Sequence, residues 1–159
     1  MMIRKYQSSD ISHVVSLFYE TVHSVNAVDY SIEQLNAWAP KNEMKTKLIE
    51  WNRSLSKNVA YVVEIDGKIV GFSDMTHNGY LDRLYTHKDF QAQGIATILV
   101  DELESAAFKI GISEIYTEAS VTAKPFFEYR GYRIIKAQSV ERKGITLPNY
   151  QMTKILIHE

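Results

Sequence analysis

The residues best suited to chemistry in this sequence lie in a short turn, Gln91–Ala96, between a predicted strand and a predicted helix. Free N–H groups at a helix start carry partial positive charge and bind phosphate. Gly94 lacks a Cβ atom, so the backbone there can approach a ligand closely. His87 and Lys88 are near enough in sequence to meet a further phosphate. The turn therefore predicts either a pyrophosphate site or a tight helix start that serves packing alone.

Two common phosphate-binding sequences do not account for this turn. A P-loop requires Gly-Lys-Ser/Thr at a fixed spacing, and none follows Gly94. A dinucleotide fingerprint requires several glycines and an acidic residue at the end of the next strand, whereas this turn has one glycine and no such residue. The turn therefore does not indicate a nucleoside triphosphate or a dinucleotide.

The composition excludes several other classes of protein. The 159 residues fit one domain, which we assign to residues 1–159. A net charge of −1 gives no long-range field that would favour nucleic acid or an anionic membrane. Without cysteine the chain has no disulfide, thiolate metal site or cysteine nucleophile, and the five histidines lack metal-ligand spacing. We therefore expect no metal, nucleic acid or membrane partner.

The hydrophobic pattern is that of a soluble globular protein. Hydrophobic residues make up 45% of the chain, which is enough for a core. No apolar run approaches the ~18 residues that a membrane-spanning helix needs. Met1–Asp10 lacks the apolar segment of a signal peptide. We expect a cytoplasmic location.

The first third of the sequence predicts a short strand, Ile3–Tyr6, followed by three helices. Asp10 is a suitable N-cap for a helix whose apolar residues recur at helical spacing up to Val25. The segment Ser31–Gln34 has the residues of a capping box and opens a second, short helix, which Pro40 ends. Met44–Leu55 then carries one apolar face of a third helix.

The pattern then changes to the period of two that is typical of strands. Asp66–Gly67 between two such stretches predicts a β-hairpin. The predicted elements of this part are strands Ala60–Ile65, Lys68–Met75 and Tyr80–Thr86, a helix from Gly94 to Gly111, strand Ile112–Ala119, helix Thr122–Tyr129, and strands Tyr132–Ala137 and Tyr150–Ile157. A loop containing glycine and proline is predicted between the last two strands. One α/β domain built on a mixed sheet is the simplest packing.

Four segments in this order resemble the GNAT acetyltransferase superfamily. The family's central pattern, Gln/Arg-x-x-Gly-x-Gly/Ala after a strand, is present as Gln91-Ala-Gln-Gly94-Ile-Ala96 behind Leu84-Tyr85-Thr86. The remaining segments are Asp66-Gly67-Lys-Ile-Val-Gly71-Phe72, Phe126-Phe127-Glu-Tyr-Arg-Gly131-Tyr132, and Tyr30-Ser-Ile-Glu-Gln34 with Ala37-Trp38-Ala-Pro40. The last of these is similar to a bacterial branch of uncharacterised members. The resemblance covers nearly the whole chain.

The resemblance implies an α/β (α+β) fold with a mixed, mostly antiparallel central sheet flanked by helices, and acetyl-CoA as the acyl donor. The strand before the turn would pair with the pantetheine arm, the turn would hold the pyrophosphate, and an aromatic pair would pack the thiol end. The residues so assigned to coenzyme A are Leu84, Tyr85, Thr86, Gln91, Ala92, Gln93, Gly94, Ile95, Ala96, Thr97, Ser120, Phe126 and Phe127.

The implied reaction is direct attack of a neutral amine on the acetyl thioester, so the incoming ammonium must lose a proton. We expect Asp82 to be the base, because strand alternation places it on the same face as Leu84. Asp74, His77 and His23 are alternatives. A salt bridge or a turn contact is the competing role for Asp82.

The acid that would protonate the leaving thiolate has several candidates. Many relatives have a tyrosine where this sequence has Phe127, and phenylalanine cannot donate a proton. Tyr116 and Ser120 are the alternatives within the chain, and water is another. A thiolate can also leave unprotonated, so the missing tyrosine does not exclude turnover.

The expected acceptor is a primary amine of a small molecule or a peptide. Tyr30 and Trp38 lie at predicted helix ends, where their rings can form one wall of a pocket and attract a cation. Asp74 and His77 are further candidates for this pocket, whereas Trp51 is expected to pack in the core. The chain is expected to be a monomer or a homodimer.

Two other functions remain open at this point. One is an acyl-CoA-binding module that senses or regulates without turnover, which the missing tyrosine favours. The other is a structural or interaction domain whose turn at Gly94 only packs. Binding of coenzyme A would distinguish the enzyme from the structural domain. Acetyl transfer to an amine would distinguish the enzyme from the acyl-CoA-binding module.

Overall fold

The computed structural model describes residues 1–156. Within them, seven strands and five helices follow one another in the predicted order. The strands are β1 (Met2–Lys5), β2 (Val59–Ile65), β3 (Lys68–Met75), β4 (Tyr80–Thr86), β5 (Glu114–Ser120), β6 (Arg133–Arg142) and β7 (Ile145–Ile155). The helices are α1 (Ile11–Ser24), α2 (Ile32–Trp38), α3 (Met44–Lys57), α4 (Ile95–Lys109) and α5 (Lys124–Tyr129).

The strands form one sheet in the order β1-β2-β3-β4-β5-β7-β6. β4 and β5 are parallel neighbours, and the other neighbouring pairs are antiparallel. Helices α1 to α3 cover one face of the sheet, and α4 and α5 cover the opposite face. The predicted mixed, mostly antiparallel sheet flanked by helices is therefore confirmed.

Two apolar layers hold the helices against the sheet. On the first face, Phe18 of α1 lies edge-to-face on Tyr85 of β4, with ring centroids 5.0 Å apart. On the opposite face, Leu99 and Leu103 of α4 are fully buried, because apolar residues recur every three or four positions along this helix. Burying each such side chain contributes about 1.5–3 kcal/mol. β4 is thus fixed from both sides by packing.

The hairpin between β2 and β3 has the geometry that its sequence predicts. Asp66 (φ 51°) and Gly67 (φ 78°) both occupy the left-handed region, as a two-residue type I′ turn requires. Ile65 and Lys68 are the pair that closes the turn.

The predicted loop between the last two strands was wrong. β6 and β7 instead form a second hairpin, with Lys143 (φ 51°) and Gly144 (φ 76°) as its two turn residues. Pro148 is tolerated within β7 because its carbonyl oxygen accepts a hydrogen bond from Tyr30 on the side away from β6. Its missing N–H therefore removes no bond to β6. Ile157, the predicted end of the last strand, lies outside the described residues.

Asp10 does not cap α1 with its side chain, as the sequence had suggested. Its carboxylate accepts a hydrogen bond from the Gln7 N–H at 2.8 Å and two from the Arg4 guanidinium, each at 2.8 Å. The chain makes a short 3-10 turn at Ser8–Asp10 before α1, so the carboxylate closes this turn instead. Asp10 thereby ties β1 to the start of α1.

The helices are too short for a bilayer. α4, with 15 residues, falls below the roughly 20 apolar residues that span the hydrocarbon core. None of the helices in residues 1–156 is long and apolar enough to cross a membrane.

Candidate functional site

The centre of the sheet opens between its two parallel strands. β4 and β5 pair only at Tyr80–Tyr116 and Leu81–Thr117. Beyond these pairs β4 runs on to Thr86 while still paired with β3, and β5 runs on to Ser120 while still paired with β7. The two strands thus leave a wedge, and along the described chain the main-chain groups of β4 that face this wedge have no strand partner.

A β-bulge at Asp82 precedes the wedge. Arg83 pairs with Asp74 of β3 and Leu81 pairs with Met75, so Asp82 is an extra residue on β4. The bulge interrupts the alternation of the strand, and both Leu81 and Leu84 pack toward the α4 face. The simple alternation from which Asp82 was placed on the face of Leu84 is therefore interrupted at Asp82 itself. The Asp82 side chain is 36% exposed and lines the cleft.

A cleft of about 420 Å³ occupies the wedge. All the residues predicted to bind coenzyme A line it except Gln93. They are Leu84, Tyr85, Thr86, Gln91, Ala92, Gly94, Ile95, Ala96, Thr97, Ser120, Phe126 and Phe127. The fold thus brings segments from β4, α4, β5 and α5 to one cleft.

The turn at one end of the cleft exposes the start of α4. Ala92 (φ 59°) and Gly94 (φ 80°) both have left-handed backbone conformations, and no side chain caps the helix. The first intrahelical bond runs from the Ile98 N–H to the Gly94 carbonyl, so the preceding N–H groups of the helix have no intrahelical acceptor. A Cβ atom at Gly94 would meet nothing within 4 Å. The helix start therefore faces open space on the cleft side.

Gln91 fixes this turn to the end of β4. Its Nε2 donates to the carbonyl oxygens of Thr86 at 2.7 Å and His87 at 3.3 Å. His87 and Lys88 line a separate polar cavity and not this cleft. The buried His87 ring accepts from the Asp89 N–H at Nδ1, and its Nε2 lies 3.4 Å from Glu20. The prediction that His87 and Lys88 meet a further phosphate is therefore not supported by their positions.

The other end of the cleft is apolar. Phe126 and Phe127 lie edge-to-face with centroids 5.3 Å apart, and Phe127 is 2% exposed. The Ser120 hydroxyl accepts from the Ala123 N–H at 3.0 Å, which leaves its own O–H available to donate. Tyr116 lies outside the cleft, where its ring contacts Tyr80 at a centroid distance of 5.4 Å.

A second pocket of about 130 Å³ adjoins the cleft. We call it the acceptor pocket, after the acceptor side predicted for Tyr30 and Trp38. Five residues border both cavities: Trp38, Asp82, Tyr85, Glu118 and Ser120. The β6–β7 hairpin contributes Val140, Arg142, Leu147, Pro148 and Asn149 to the lining of the acceptor pocket. Tyr30 and Tyr80 complete the lining.

Glu118 is a candidate that the sequence reasoning missed. It follows Thr117, the partner of Leu81, just as Asp82 follows Leu81, so the parallel register brings the two carboxylates to the junction of cleft and pocket. The period of two along β5 was the available signal, because it puts Glu118 on the same face as Ser120. Asp82 also lies 3.5 Å from the Arg83 guanidinium.

Comparisons with known proteins decide the family. The family model described as an acetyltransferase (GNAT) domain matches residues 26–154. YafP of Escherichia coli, an uncharacterised N-acetyltransferase, is 32% identical over 152 residues, which cover 96% of this chain and 94% of that protein. This chain belongs to the GNAT acetyltransferase family.

Solved structures agree with this assignment. A GCN5-related N-acetyltransferase from Rhodopseudomonas palustris has a TM-score of 0.91 at 30% identity, covering 98% of this GNAT chain and 95% of that chain. The PaiA N-acetyltransferase of Thermoplasma acidophilum, solved in complex with coenzyme A, shares the fold with a TM-score of 0.76 at 21% identity and covers 98% of both chains.

Tyr30 and Trp38, the residues predicted for the acceptor side, both line this second pocket. The Tyr30 hydroxyl donates to the Pro148 carbonyl at 2.6 Å and accepts from the Val121 N–H at 2.9 Å. The Trp38 ring meets the Tyr30 ring edge-to-face at 5.3 Å, and burial raises the pKa of Tyr85, which also lines the pocket. Tyr30 therefore also holds together the strands that form the pocket.

Asp74 and His77, two other candidates for the base and the acceptor pocket, line neither cavity. Asp74 is fully buried, and its Oδ2 accepts from Arg83 at 2.7 Å and Asn58 at 2.8 Å. His77 is exposed in a turn, with Nε2 2.8 Å from the Lys57 carbonyl oxygen. Asp74 lies on β3 directly opposite Arg83 of β4, whereas His77 lies in the turn after β3. His23 likewise lies against the Ala39 carbonyl, with its Nε2 2.8 Å from that oxygen.

Asp74→Asn is expected to change the pH dependence of stability. Burial raises the pKa of Asp74 to about 6 from 3.8, although Arg83 and Asn58 act to lower it. Between pH 3.8 and about 6 the folded protein keeps the Asp74 proton that the unfolded chain releases. The protonated carboxyl therefore stabilises the folded state at low pH, and this stabilisation is lost as pH rises through about 6. The difference in unfolding free energy between the two proteins should change by about 3 kcal/mol over this window. Urea unfolding at a series of pH values measures it.

Asp10→Asn provides a contrast of opposite sign. Burial alone raises the pKa of Asp10, but hydrogen bonds from Arg4 and Gln7 outweigh burial and lower it. Its stabilising contribution is therefore present near neutral pH and is lost as pH falls.

If wild type and Asp74→Asn had parallel pH profiles, the account of Asp74 as a buried charge would be wrong.

Proposed function

We propose that this GNAT protein transfers an acetyl group from acetyl-CoA to a primary amine of a small molecule or peptide, by direct attack of the amine on the thioester. The observation that carries this proposal is the wedge between β4 and β5. Its cleft joins an exposed helix start at one end to two carboxylates and the acceptor pocket at the other.

The residues of the cleft fit coenzyme A in three chemical respects. The unpaired main-chain groups of β4 suit an extended, amide-containing pantetheine arm, which can pair with them as a strand would. The exposed N–H groups after Gly94 suit the pyrophosphate. The apolar end at Phe126 and Phe127 suits the acyl-bearing end. When bound, acetyl-CoA supplies an activated acyl group, and the coenzyme A complex of PaiA supports this fit.

The carboxylates at the junction provide the proton acceptor. Asp82 and Glu118 border both the cleft and the acceptor pocket, so either can take a proton from an ammonium group entering from the pocket. Unpaired N–H groups of β4 provide donors for the oxyanion that develops during attack. The Ser120 hydroxyl is the candidate acid, since its O–H remains available.

Acetyl-CoA is expected to stabilise the protein against heat. A ligand present at ~100 times its dissociation constant adds about 2.7 kcal/mol to the free energy of unfolding. For a chain of this size that raises the melting temperature by roughly 5–10 °C. Differential scanning fluorimetry measures the shift, and ATP, which has phosphates but no pantetheine arm, serves as the control. The absence of any shift at millimolar acetyl-CoA would refute the cofactor assignment.

Turnover separates the enzyme from a sensor that binds acyl-CoA without reacting. The sensor reading has support from Phe127, which stands where many relatives have a tyrosine. An enzyme should release coenzyme A from acetyl-CoA only when an amine is present, with a rate that rises as pH increases the fraction of free amine. A thermal shift without amine-dependent release across a broad amine panel would favour the sensor.

A further inference from the structure

Resting on the function proposed above, we propose that the acceptor is a zwitterion, a primary amine that also carries a carboxylate. Its ammonium group lies at Asp82 and Glu118, and Arg142 binds its carboxylate. The chemical class that fits is a short amino acid. The arrangement of charges around the acceptor pocket carries this inference.

The acceptor pocket suits a small molecule. Its volume is about 130 Å³, compared with about 420 Å³ for the cleft. Part of its lining is aromatic or aliphatic, from Tyr30, Trp38, Tyr80, Tyr85, Val140 and Leu147, but its exposed surface is mostly polar. A small, polar acceptor therefore fits this pocket.

The two carboxylates form the negative end of the pocket. Asp82 and Glu118 lie where the pocket meets the cleft, so an amine held there faces the acyl-bearing end of the cleft. Arg83 is the basic group in contact with Asp82, but its guanidinium also binds the buried Asp74 and the Ser54 hydroxyl. Arg83 therefore does not neutralise the negative charge of both Asp82 and Glu118, and this charge can attract the ammonium group of an acceptor.

Arg142 of the β6–β7 hairpin supplies a positive charge to the same pocket. It is the exposed last residue of β6, and within residues 1–156 its guanidinium makes no hydrogen bond or ion pair. Its charge acts on Tyr80 of the pocket, where it opposes the burial that raises the pKa of that hydroxyl to about 12. The adjacent Lys143 is paired with Glu43 and does not line the pocket. A guanidinium in this position suits bidentate binding of a carboxylate.

Asn149 is a second polar residue of this pocket whose side chain has an unsatisfied hydrogen-bonding atom. Its Oδ1 is buried and has no hydrogen-bond partner among the described residues. A buried polar atom left in this state costs about 1–3 kcal/mol, and a polar ligand removes that cost. The side-chain amide can present either its oxygen or its N–H groups, so it can bind a carboxylate or an ammonium beside Arg142.

This order of charges separates amino acids from other amines. A simple alkylamine leaves Arg142 without a partner, and a polyamine places a second cation against it. A peptide presents its α-amine beside a neutral amide instead of a carboxylate. An amino acid supplies partners both for the two carboxylates and for Arg142.

The test compares each of several short amino acids with the amine in which hydrogen replaces its carboxylate. Wild-type protein is expected to favour the amino acid at least about tenfold in kcat/KM, mainly through KM, as befits a hydrogen-bonded charge pair. In Arg142→Gln this ratio is expected to fall to about one, and Arg142→Lys should restore part of it. Calorimetric titration of both ligands into each protein provides a readout that does not depend on turnover.

Lys143→Gln is the matched control, because it removes one positive charge from the same hairpin outside the pocket. It should keep the wild-type ratio. If wild type acetylates both members of each pair at equal kcat/KM, or if Arg142→Gln keeps the preference, the inference is wrong while the proposed function stands. If no amine is acetylated and acetyl-CoA gives no thermal shift, the proposed function itself fails. If calorimetry shows amino acids and their amines binding wild type equally, the inference fails without reference to turnover.

Discussion

Gly94→Asp is expected to fold normally and to bind acetyl-CoA roughly a thousandfold more weakly than wild type. The new carboxylate would lie at the exposed start of α4, where the pyrophosphate is expected. Two like charges about 4 Å apart near a protein surface repel by about 4 kcal/mol, and each 1.4 kcal/mol changes a dissociation constant about tenfold. Calorimetric titration with acetyl-CoA measures the loss.

The folded state should tolerate this substitution. A Cβ atom at Gly94 meets nothing within 4 Å, so no side chain or backbone must move. The φ of 80° is unfavourable for most residues, but aspartate enters this region more readily than most. The expected loss of stability is therefore about 1 kcal/mol.

Gly67→Asp is the matched control for Gly94→Asp. Gly67 also has a positive φ, 78°, and open space around its Cβ position, but it lies in the β2–β3 turn away from the cleft. It should lose a similar amount of stability and keep its affinity for acetyl-CoA. A folded Gly94→Asp protein with wild-type affinity would show that the turn is not the phosphate site.

Replacing both junction carboxylates, as Asp82→Asn with Glu118→Gln, is expected to reduce kcat by about 10²–10⁴ near neutral pH, the usual contribution of a general base. Acetyl-CoA affinity should remain near the wild-type value, because neither carboxylate lies at the helix start. The rate of the double variant should recover as pH rises, since more of the amine is then already unprotonated. Steady-state kinetics across pH measures all three effects.

The single variants assign the role between the two residues. If Asp82 is the base, Asp82→Asn accounts for most of the loss and Glu118→Gln for little, and the reverse holds if Glu118 is the base. Glu50→Gln, an exposed carboxylate on α3, controls for net charge. A double variant with the wild-type rate near neutral pH would exclude both residues as the base.

Features encoded within a few consecutive residues could be predicted from the sequence. The Asp66–Gly67 hairpin has the expected backbone geometry, because its two residues determine their own conformations. The capping box of α2 also formed as expected, with Ser31 and Gln34 bonded to each other's backbone. Lys143–Gly144 also has glycine at the second position of a two-residue turn, which is a weaker indication of a hairpin. The nearby Pro148 favoured the prediction of a loop instead.

Features that depend on distant partners could not be predicted. The bulge at Asp82 arises because β4 has one more residue than β3 between two consecutive pairs of the ladder. No pattern within β4 alone predicts that pairing. Glu118 reaches Asp82 only through the parallel register between β4 and β5. Asp74 was a candidate base because it is an acidic residue on a strand. Its environment, however, depends on Arg83 and Asn58, which belong to other segments. The segments that line the cleft were thus predictable where they match the family's patterns, but the contacts between segments were not.

The β6–β7 hairpin lines the acceptor pocket and also forms the outer edge of the sheet. Its main-chain hydrogen bonds do not depend on which side chains face the pocket. The cleft takes about half of its lining from the segment between Leu81 and Thr97 and none from this hairpin. Under the proposed function, exchange of a few hairpin residues would therefore change the choice of acceptor and leave the donor-binding cleft as it is.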